Sequence, residues 1–460
     1  MSHPKRRWPR NFYALWAATA TTNLTDGVVK IGLPLLAVSM TSSPGAIAAV
    51  TALGSLPWLL FALLAGAVAD RVDRRRLMIA LNLVRVFVAF VMVLLLATGV
   101  LILPLVYVGA FALGTCEAFI DTTRMSVVQM VVPRHLLERG YGRLTATETV
   151  ANEFVGPPLG GALAGLSLAL TMATGSVGYL IAAVALLLMP GAFRLTHCST
   201  TENPPARGLT RQIGAGLQYV WSERTLAVLL SAAGISSACW AGWLAIMPAY
   251  AVRGPLQLSE TGYGLLIGLL GVGGFIGALS TDRLRKILGR RNLLIVALAA
   301  TTAMLLAPAL SETPAVIVLG TALGGLGAGT WNVAYSTLRA LVVPDEMMGR
   351  YSGVSRLVSF GAMPLGAAAA GGISELATPR WAFIAATIGM LSALVIVPTR
   401  ITASRIAEIE QTAAIRRDHH TVAELRPGPN AAPESRPPDD ALHAVTGRRT
   451  AGGPPSGNAG

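Results

Sequence analysis

The sequence predicts an all-α membrane protein, with twelve transmembrane helices in two pseudo-symmetric six-helix bundles. Three observations carry that expectation. Apolar stretches of about twenty residues recur along the chain, each long enough to cross a hydrocarbon core of about 30 Å. Basic residues cluster in every second connection between them. A set of short motifs occurs twice, in the same order.

Composition identifies the solvent. Of 460 residues, 53% are hydrophobic and 13% charged, with a mean hydropathy of +0.59. A soluble domain carries roughly 25% charge, so this chain has too few charges to cover a water-facing surface. The formal charge of +13 would suit a nucleic-acid partner, but the positions of the charges exclude one. Basic residues gather at Lys5–Arg10, Arg71–Arg76, Arg124–Arg143, Arg194–Arg224, Arg283–Arg291, Arg339–Arg356 and Arg400–Arg449. Only Arg253, Arg380, Lys30 and Arg85 of the 36 Lys and Arg lie elsewhere. Translocation of basic loops is disfavoured. The clusters therefore mark the cytoplasmic face of a plasma membrane, place both termini there and require an even number of spans.

In chain order, the spans are expected at 12–39, 46–69, 77–97, 101–121, 143–166 and 169–189, then at 225–250, 261–280, 292–311, 314–334, 351–373 and 380–398. The basic N-terminus (1–11) and the first apolar stretch read as an uncleaved first span, because the stretch is too long for a signal peptide and ends in no small-residue cleavage pattern. A bundle over 12–189 is followed by a cytoplasmic linker over 190–224, rich in Thr, Pro and Arg, and a second bundle over 225–398. Turns as short as Thr41–Gly45, Thr98–Val100 and Ser311–Thr313 make the helices they join antiparallel neighbours. Residues 399–460 are rich in Pro, Gly and Arg and read as a disordered tail, with a short amphipathic helix over Ile401–Ile415 as an alternative. Cys116, Cys198 and Cys239 are too few and too scattered for a disulfide framework.

The repeat is the most informative internal feature. Asp70-Arg71 closes the second span and Asp282-Arg283 the eighth; Val131-Val132-Pro133 follows the fourth and Val342-Val343-Pro344 the tenth. Pro158-Leu159-Gly160 in the fifth span answers Pro364-Leu365-Gly366 in the eleventh.

The segment from Gly66 through Asp70, Arg71, Asp73 and Arg74 to Arg76 resembles the loop signature of the major facilitator superfamily. Asp73 stands where many members have Gly. Together with Thr123–Gly161, it is most similar to the branch of the enterobactin exporter and macrolide efflux proteins. The resemblance covers roughly residues 10–400. It implies that Gly66, Asp70, Arg71 and Arg74, with the weaker copy Asp282 and Arg283, form a conformational latch; otherwise the arginines only set topology. Gly156, Pro157, Gly160 and Gly161 match the core of a motif associated with antiporters of the superfamily, with Asn152 as a departure. Proline removes a backbone donor and glycine admits a neighbouring helix closely, so simple helix packing is the competing explanation.

Ionisable groups in lipid are costly and therefore mark function by default. Asp26 and Glu153 are expected deepest, with Glu148 and Glu117 next; these four are the candidates for proton coupling. No histidine competes, since all six fall in loops or tails. Lys30, Arg85, Asp121 and Arg124 are the expected ion-pair partners. Asp26 and Lys30, at i,i+4 spacing, would neutralise each other in a purely structural pair. Glu117, Asp121 and Arg124 are placed at the inner end of span four, as an ion-pair gate. Asn23, Trp331 and Asn332 are candidates for the wall of a substrate cavity. No Walker loop, zinc-ligand spacing, nucleophile elbow or dinucleotide fingerprint is present, so no cofactor, metal or enzymatic activity is expected. The partners expected are a small-molecule substrate, protons and the bilayer, with no nucleic acid, and the chain is expected to be a monomer. These readings converge on a secondary, proton-coupled exporter of a hydrophobic or amphipathic small molecule. The alternatives are an importer or uniporter, a lysophospholipid flippase, or a membrane sensor that no longer transports.

Overall fold

The computed structural model describes residues 8–191, 193, 218 and 220–412. The helices are α1 (Arg10–Met40), α2 (Pro44–Arg71), α3 (Arg74–Ala97), α4 (Leu103–Val131), α5 (Leu137–Glu148), α6 (Gly156–Leu166) and α7 (Leu168–Leu187), then α8 (Arg224–Pro248), α9 (Glu260–Leu310), α10 (Pro314–Val342), α11 (Asp345–Leu376) and α12 (Pro379–Arg400). There is no strand among the described residues.

Nine of these helices are long and apolar enough to cross a membrane among the described residues. The remaining three crossings have physical explanations. A straight 51-residue α9 would run about 75 Å, more than twice the hydrocarbon thickness. It instead breaks at Gly289, whose φ of 75° lies in the left-handed region that glycine adopts freely, and so supplies the eighth and ninth spans. α1 carries Asp26 and Lys30 at depth, which lowers its hydropathy. α5 and α6 are joined by a π-helical turn, Thr149–Val155, and together make the fifth span.

The tight turns follow from local chemistry. Ser43 accepts a hydrogen bond from the Ala46 N–H and Pro44 occupies the first turn of α2. Asp73 accepts from Arg76 N–H at the start of α3, and Ser259 from Gly262 N–H at the start of α9. Each cap satisfies a donor that the helix itself leaves unpaired. The helix C-termini at the ends of the two halves are closed by arginines in matching places. Arg75 donates to the carbonyls of Leu186 and Leu187 at the end of α7, 2.9 and 2.8 Å away. Arg291 donates to Pro398 and Ile401 at the end of α12, both at 3.1 Å.

Small residues set the packing distances. Gly114 of α4 lies against the Gly54 carbonyl of α2, and Gly329 of α10 against Gly274 of α9, the same approach in each half. The halves meet where α2 packs on α11 and α6 packs on α9. Trp58 stacks on Phe360 with ring centroids 4.6 Å apart, and a Cβ on Gly161 would come within 2.6 Å of Gly264 Cα.

Several helices outrun the apolar stretches that predict them. α4 continues from 121 to Val131 and α10 from 334 to Val342, while α11 starts at Asp345 rather than 351. Hydropathy reports the lipid-immersed part, whereas backbone hydrogen bonding carries each helix on into the aqueous boundary. The extension moves Glu117 from the expected inner end of its span to the midpoint of α4. In the expected tail, α12 reaches Arg400 and residues 403–412 are helical, in line with the amphipathic alternative. Ile406 is buried, and Arg405 pairs with Glu223 at 2.8 Å. The tail beyond 412 and most of the linker 190–224 lie outside the described residues.

Candidate functional site

Mid-depth in the first half, four elements bring together most of the charges singled out from the sequence. Asp26 sits at the middle of α1 and Arg85 at the middle of α3. Arg85 Nη1 lies 3.1 Å from Asp26 Oδ1 and 3.4 Å from Oδ2. Tyr179 of α7 donates its hydroxyl to Asp26 Oδ1 at 2.7 Å, and its ring lies 5.0 Å from the Arg85 guanidinium carbon. Arg85 is 1% exposed and Asp26 7%. A buried pair persists only when its remaining lone pairs and protons are also satisfied, and Tyr179 does this for Asp26.

Lys30 does not pair with Asp26, which corrects the i,i+4 expectation. It points into the bundle, 3.2 Å from Glu117 Oε1 of α4, with Asn152 Oδ1 of the π turn at 3.4 Å. Asn152 Nδ2 in turn donates to Asn23 Oδ1 at 3.3 Å. A third group joins α4 to α5: Arg124 Nη2 lies 2.8 Å from Glu148 Oε2 and 3.4 Å from Asp121 Oδ1. Glu153, on the π turn, is exposed and has no hydrogen-bond or ion-pair partner among the described residues.

The site therefore counts five carboxylates (Asp26, Glu117, Asp121, Glu148, Glu153) against three cations (Lys30, Arg85, Arg124). Lys30 is exposed over 53% of its side chain although it lies two-thirds of the way along a spanning helix. A lysine at that depth facing lipid would be prohibitive, so this face of α1 lines an aqueous space. Asp26, by contrast, is sealed behind it.

The latch residues stay within their own half. Asp70 pairs with Arg74 at 2.7 Å, not with Arg71, and remains 63% exposed. Asp282 lies 3.7 Å from Arg285, not Arg283, and is 86% exposed. Space around Gly66 is open. All of them lie at the end of the bundle that carries the basic connections. At the opposite end the halves are joined: Glu375 of α11 accepts from Ser43 Oγ at 2.6 Å and from Gly45 N–H at 3.1 Å.

In the proline motif, Gly156 meets Gly27 of α1, Gly160 meets Val28, and Gly161 meets Gly264 across the halves. Of the cavity candidates, Asn23 is buried in the polar chain just described. Trp331 is buried and stacks on Tyr335, with centroids 5.9 Å apart, and Asn332 is exposed. Tyr179 and Asn152 are the site members that sequence reasoning missed. The signal for Asn152 was its departure from the glycine-proline motif; nothing distinguished Tyr179 from an interfacial aromatic.

Twelve spans in two repeated halves, with charges gathered at mid-depth, define a transporter of the major facilitator superfamily. Within it, the chain belongs to the transmembrane secretion effector family, whose profile matches residues 8–427. It is 28% identical to the multidrug efflux pump Tap of Mycolicibacterium fortuitum over 81% of this chain and 91% of that protein. It is 20% identical to macrolide efflux protein A of Streptococcus pyogenes over 78% and 88%. Among solved structures, it matches the nucleoside transporter NupG with a TM-score of 0.63 at 12% identity, covering 84% of this chain and 97% of that one. It also matches a bacterial homolog of the human lysosomal transporter Spinster, in its inward-facing, unoccupied conformation, with a TM-score of 0.61 at 14% identity over 84% and 95%. These last two likenesses establish the fold.

Proposed function

We propose that this protein is a proton-coupled exporter of a hydrophobic or amphipathic small molecule across the plasma membrane, working by alternating access of its two halves. The observation that carries the reading is the mid-membrane excess of two carboxylates over cations. Fixed negative charge in a low-dielectric setting is costly. The cluster therefore favours uptake of protons or a cationic cargo, and exchange of one for the other is antiport. The names of the relatives, multidrug and macrolide efflux pumps, support export.

Charge placement supports an orientation. Basic loops stay in the cytoplasm, so the end that carries Asp70 and Asp282 faces inward. The Glu375 contact then closes the outer side, and cargo enters from the cytoplasm. When the inner end closes, Asp70, Arg71 and Arg74, with Asp282 and Arg283, exchange partners across the halves, and the α6–α9 glycine contact guides the rocking. Glu117 and Glu153, reachable by water, handle protons alongside Asp26. Glu148, Asp121 and Arg124 hold α4 to α5.

Everted membrane vesicles from an efflux-deficient host expressing the protein, incubated in a panel of labelled lipophilic cations and macrolides, test this. Imposing an acid interior should drive accumulation of at least one compound. Asp26→Asn, Glu117→Gln and Glu153→Gln should reduce it toward the level seen without a gradient. Gradient-driven transport undiminished in all three variants would discard proton coupling through these acids. Accumulation only in right-side-out vesicles would discard export.

A further inference from the structure

We infer that a bound water molecule occupies a small cavity inside the first half, between two of its ion-pair groups. The cavity lies between α1, α3 and α4, and its polar lining is Thr19, Thr22, Asn23, Asn82, Asp121 and Arg124. Its volume of about 10 Å³ is at the lower bound of what one water needs. Four buried polar atoms of its lining lack a protein partner among the described residues: Thr19 Oγ1, Asn82 Oδ1, and Arg124 Nε and Nη1. The three residues are 3%, 1% and 3% exposed. Buried polar atoms are nearly always hydrogen-bonded, to protein or to ordered water.

Two of the three residues are already committed elsewhere. Asn82 Nδ2 already donates to the Met78 carbonyl at 2.9 Å. Arg124 Nη2 is held by Glu148 and Asp121. The free atoms comprise guanidinium donors, an amide acceptor and a hydroxyl that does both. An anion would meet the Asn82 oxygen and Asp121, and a cation would meet the guanidinium. A neutral molecule that both donates and accepts fits all of them.

Position gives the site its role. Asn23 is one helical turn from Asp26, and Asn82 is one turn from Arg85, whose Nε also lacks a partner. The water therefore stands between the Asp121–Arg124–Glu148 group and the Asp26–Arg85–Tyr179 group. It extends the polar chain of Lys30, Asn152 and Asn23 to within one helical turn of the sealed Asp26, a route for protons through the interior of the half. Only this routing role rests on proton coupling; the site itself does not.

Radiolytic footprinting of the purified full-length protein in H₂¹⁸O tests the site. Met78 lines the cavity at 2% exposure, while Met172, at 1%, packs in an apolar cluster and serves as the dry control. Met78 should take up label measurably faster than Met172, because only Met78 has an ordered water beside it. Thr19→Val and Asn82→Leu, each made separately and checked for an unchanged gel-filtration profile, should bring Met78 down to the control rate. Equal rates in the unmodified protein would overturn the site, as would a Met78 rate that survives both substitutions. The routing is measured separately: in Asn82→Leu, gradient-driven efflux should slow while equilibrium binding of the cargo is retained. Undiminished efflux in that variant would overturn the routing and leave the footprinting result unaffected.

Discussion

Asp73 occupies the position where the loop signature usually has glycine, and its side chain explains what the exchange achieves. One carboxylate oxygen accepts from Arg76 N–H and the other from Phe193 N–H, both at 2.9 Å. The loop thereby caps α3 and is pinned to the chain just past α7. Burial pushes the Asp73 carboxyl up, but the N–H groups of Arg76 and Phe193 and the Arg76 charge outweigh it and hold the group below the usual carboxylate range. A depressed folded pKa stabilises the protein above the unfolded value, near 4, and that contribution disappears as pH falls through the folded value. Asp73→Ala should cost about 1 kcal/mol at neutral pH. Thermal melts in detergent should show the gap from wild type closing below about pH 4. At this scale the sequence was partly legible. A buried acid such as Asp26 needs a base, and Arg85 was among the expected ion-pair partners. The Lys30 alternative was equally consistent with helical spacing, and only the rotation of α1 against α3 and α4 decided between them.

Among the elements, the π turn at Thr149–Val155 has the strongest consequence. One extra residue in the turn rotates the α6 segment relative to α5. Asn152 and Glu153 thereby face Lys30 and the aqueous space, while Gly156 and Gly160 lie against α1. The approach is close enough that a Cβ on Gly156 would fall 2.6 Å from Gly27 Cα and 3.0 Å from the Gly27 carbonyl carbon. Neither atom belongs to a flexible side chain, so the helices would have to separate. Gly156→Ala should therefore destabilise the protein by about 1–3 kcal/mol despite its better helix propensity. Gly142→Ala, on the same composite span with nothing within 4 Å of the new methyl, should be neutral or slightly stabilising. Parallel thermal melts check the pair. The sequence marked this helix as bent and closely packed through its glycines and proline. It carried no sign of the π turn, because a π register differs from an α register by one hydrogen-bond step that no residue type enforces.

For the molecule as a whole, side-chain hydrogen bonds tie the halves at one end, while the latch carboxylates at the other stay within their own half. Glu375 accepts two hydrogen bonds from the start of α2, and Arg253 Nη2 lies 3.4 Å from the Ser39 carbonyl. At the basic end, Asp70 and Asp282 reach only residues of their own half. Glu375→Ala should loosen the tied end. Spin labels at Ser42 and Ala377, in distance measurements between the two halves, should then show a longer-distance population that wild type lacks. Glu375→Gln keeps an oxygen acceptor and should retain most of the short distance. Identical distributions in wild type and Glu375→Ala would mean that helix packing alone holds this end closed.

By itself, the sequence determined the solvent, the number of crossings, the duplication and which charges lie within the spans. Each of these is written in composition, in the alternation of basic loops or in motif order, and none needs knowledge of neighbours. The tertiary structure decided which acid meets which base, that Glu117 lies at mid-depth, and that Tyr179 and Asn152 complete the site. It also decided which end of the bundle is joined. Those outcomes depend on helix rotation and on contacts between residues more than a hundred positions apart, which the one-dimensional pattern leaves open.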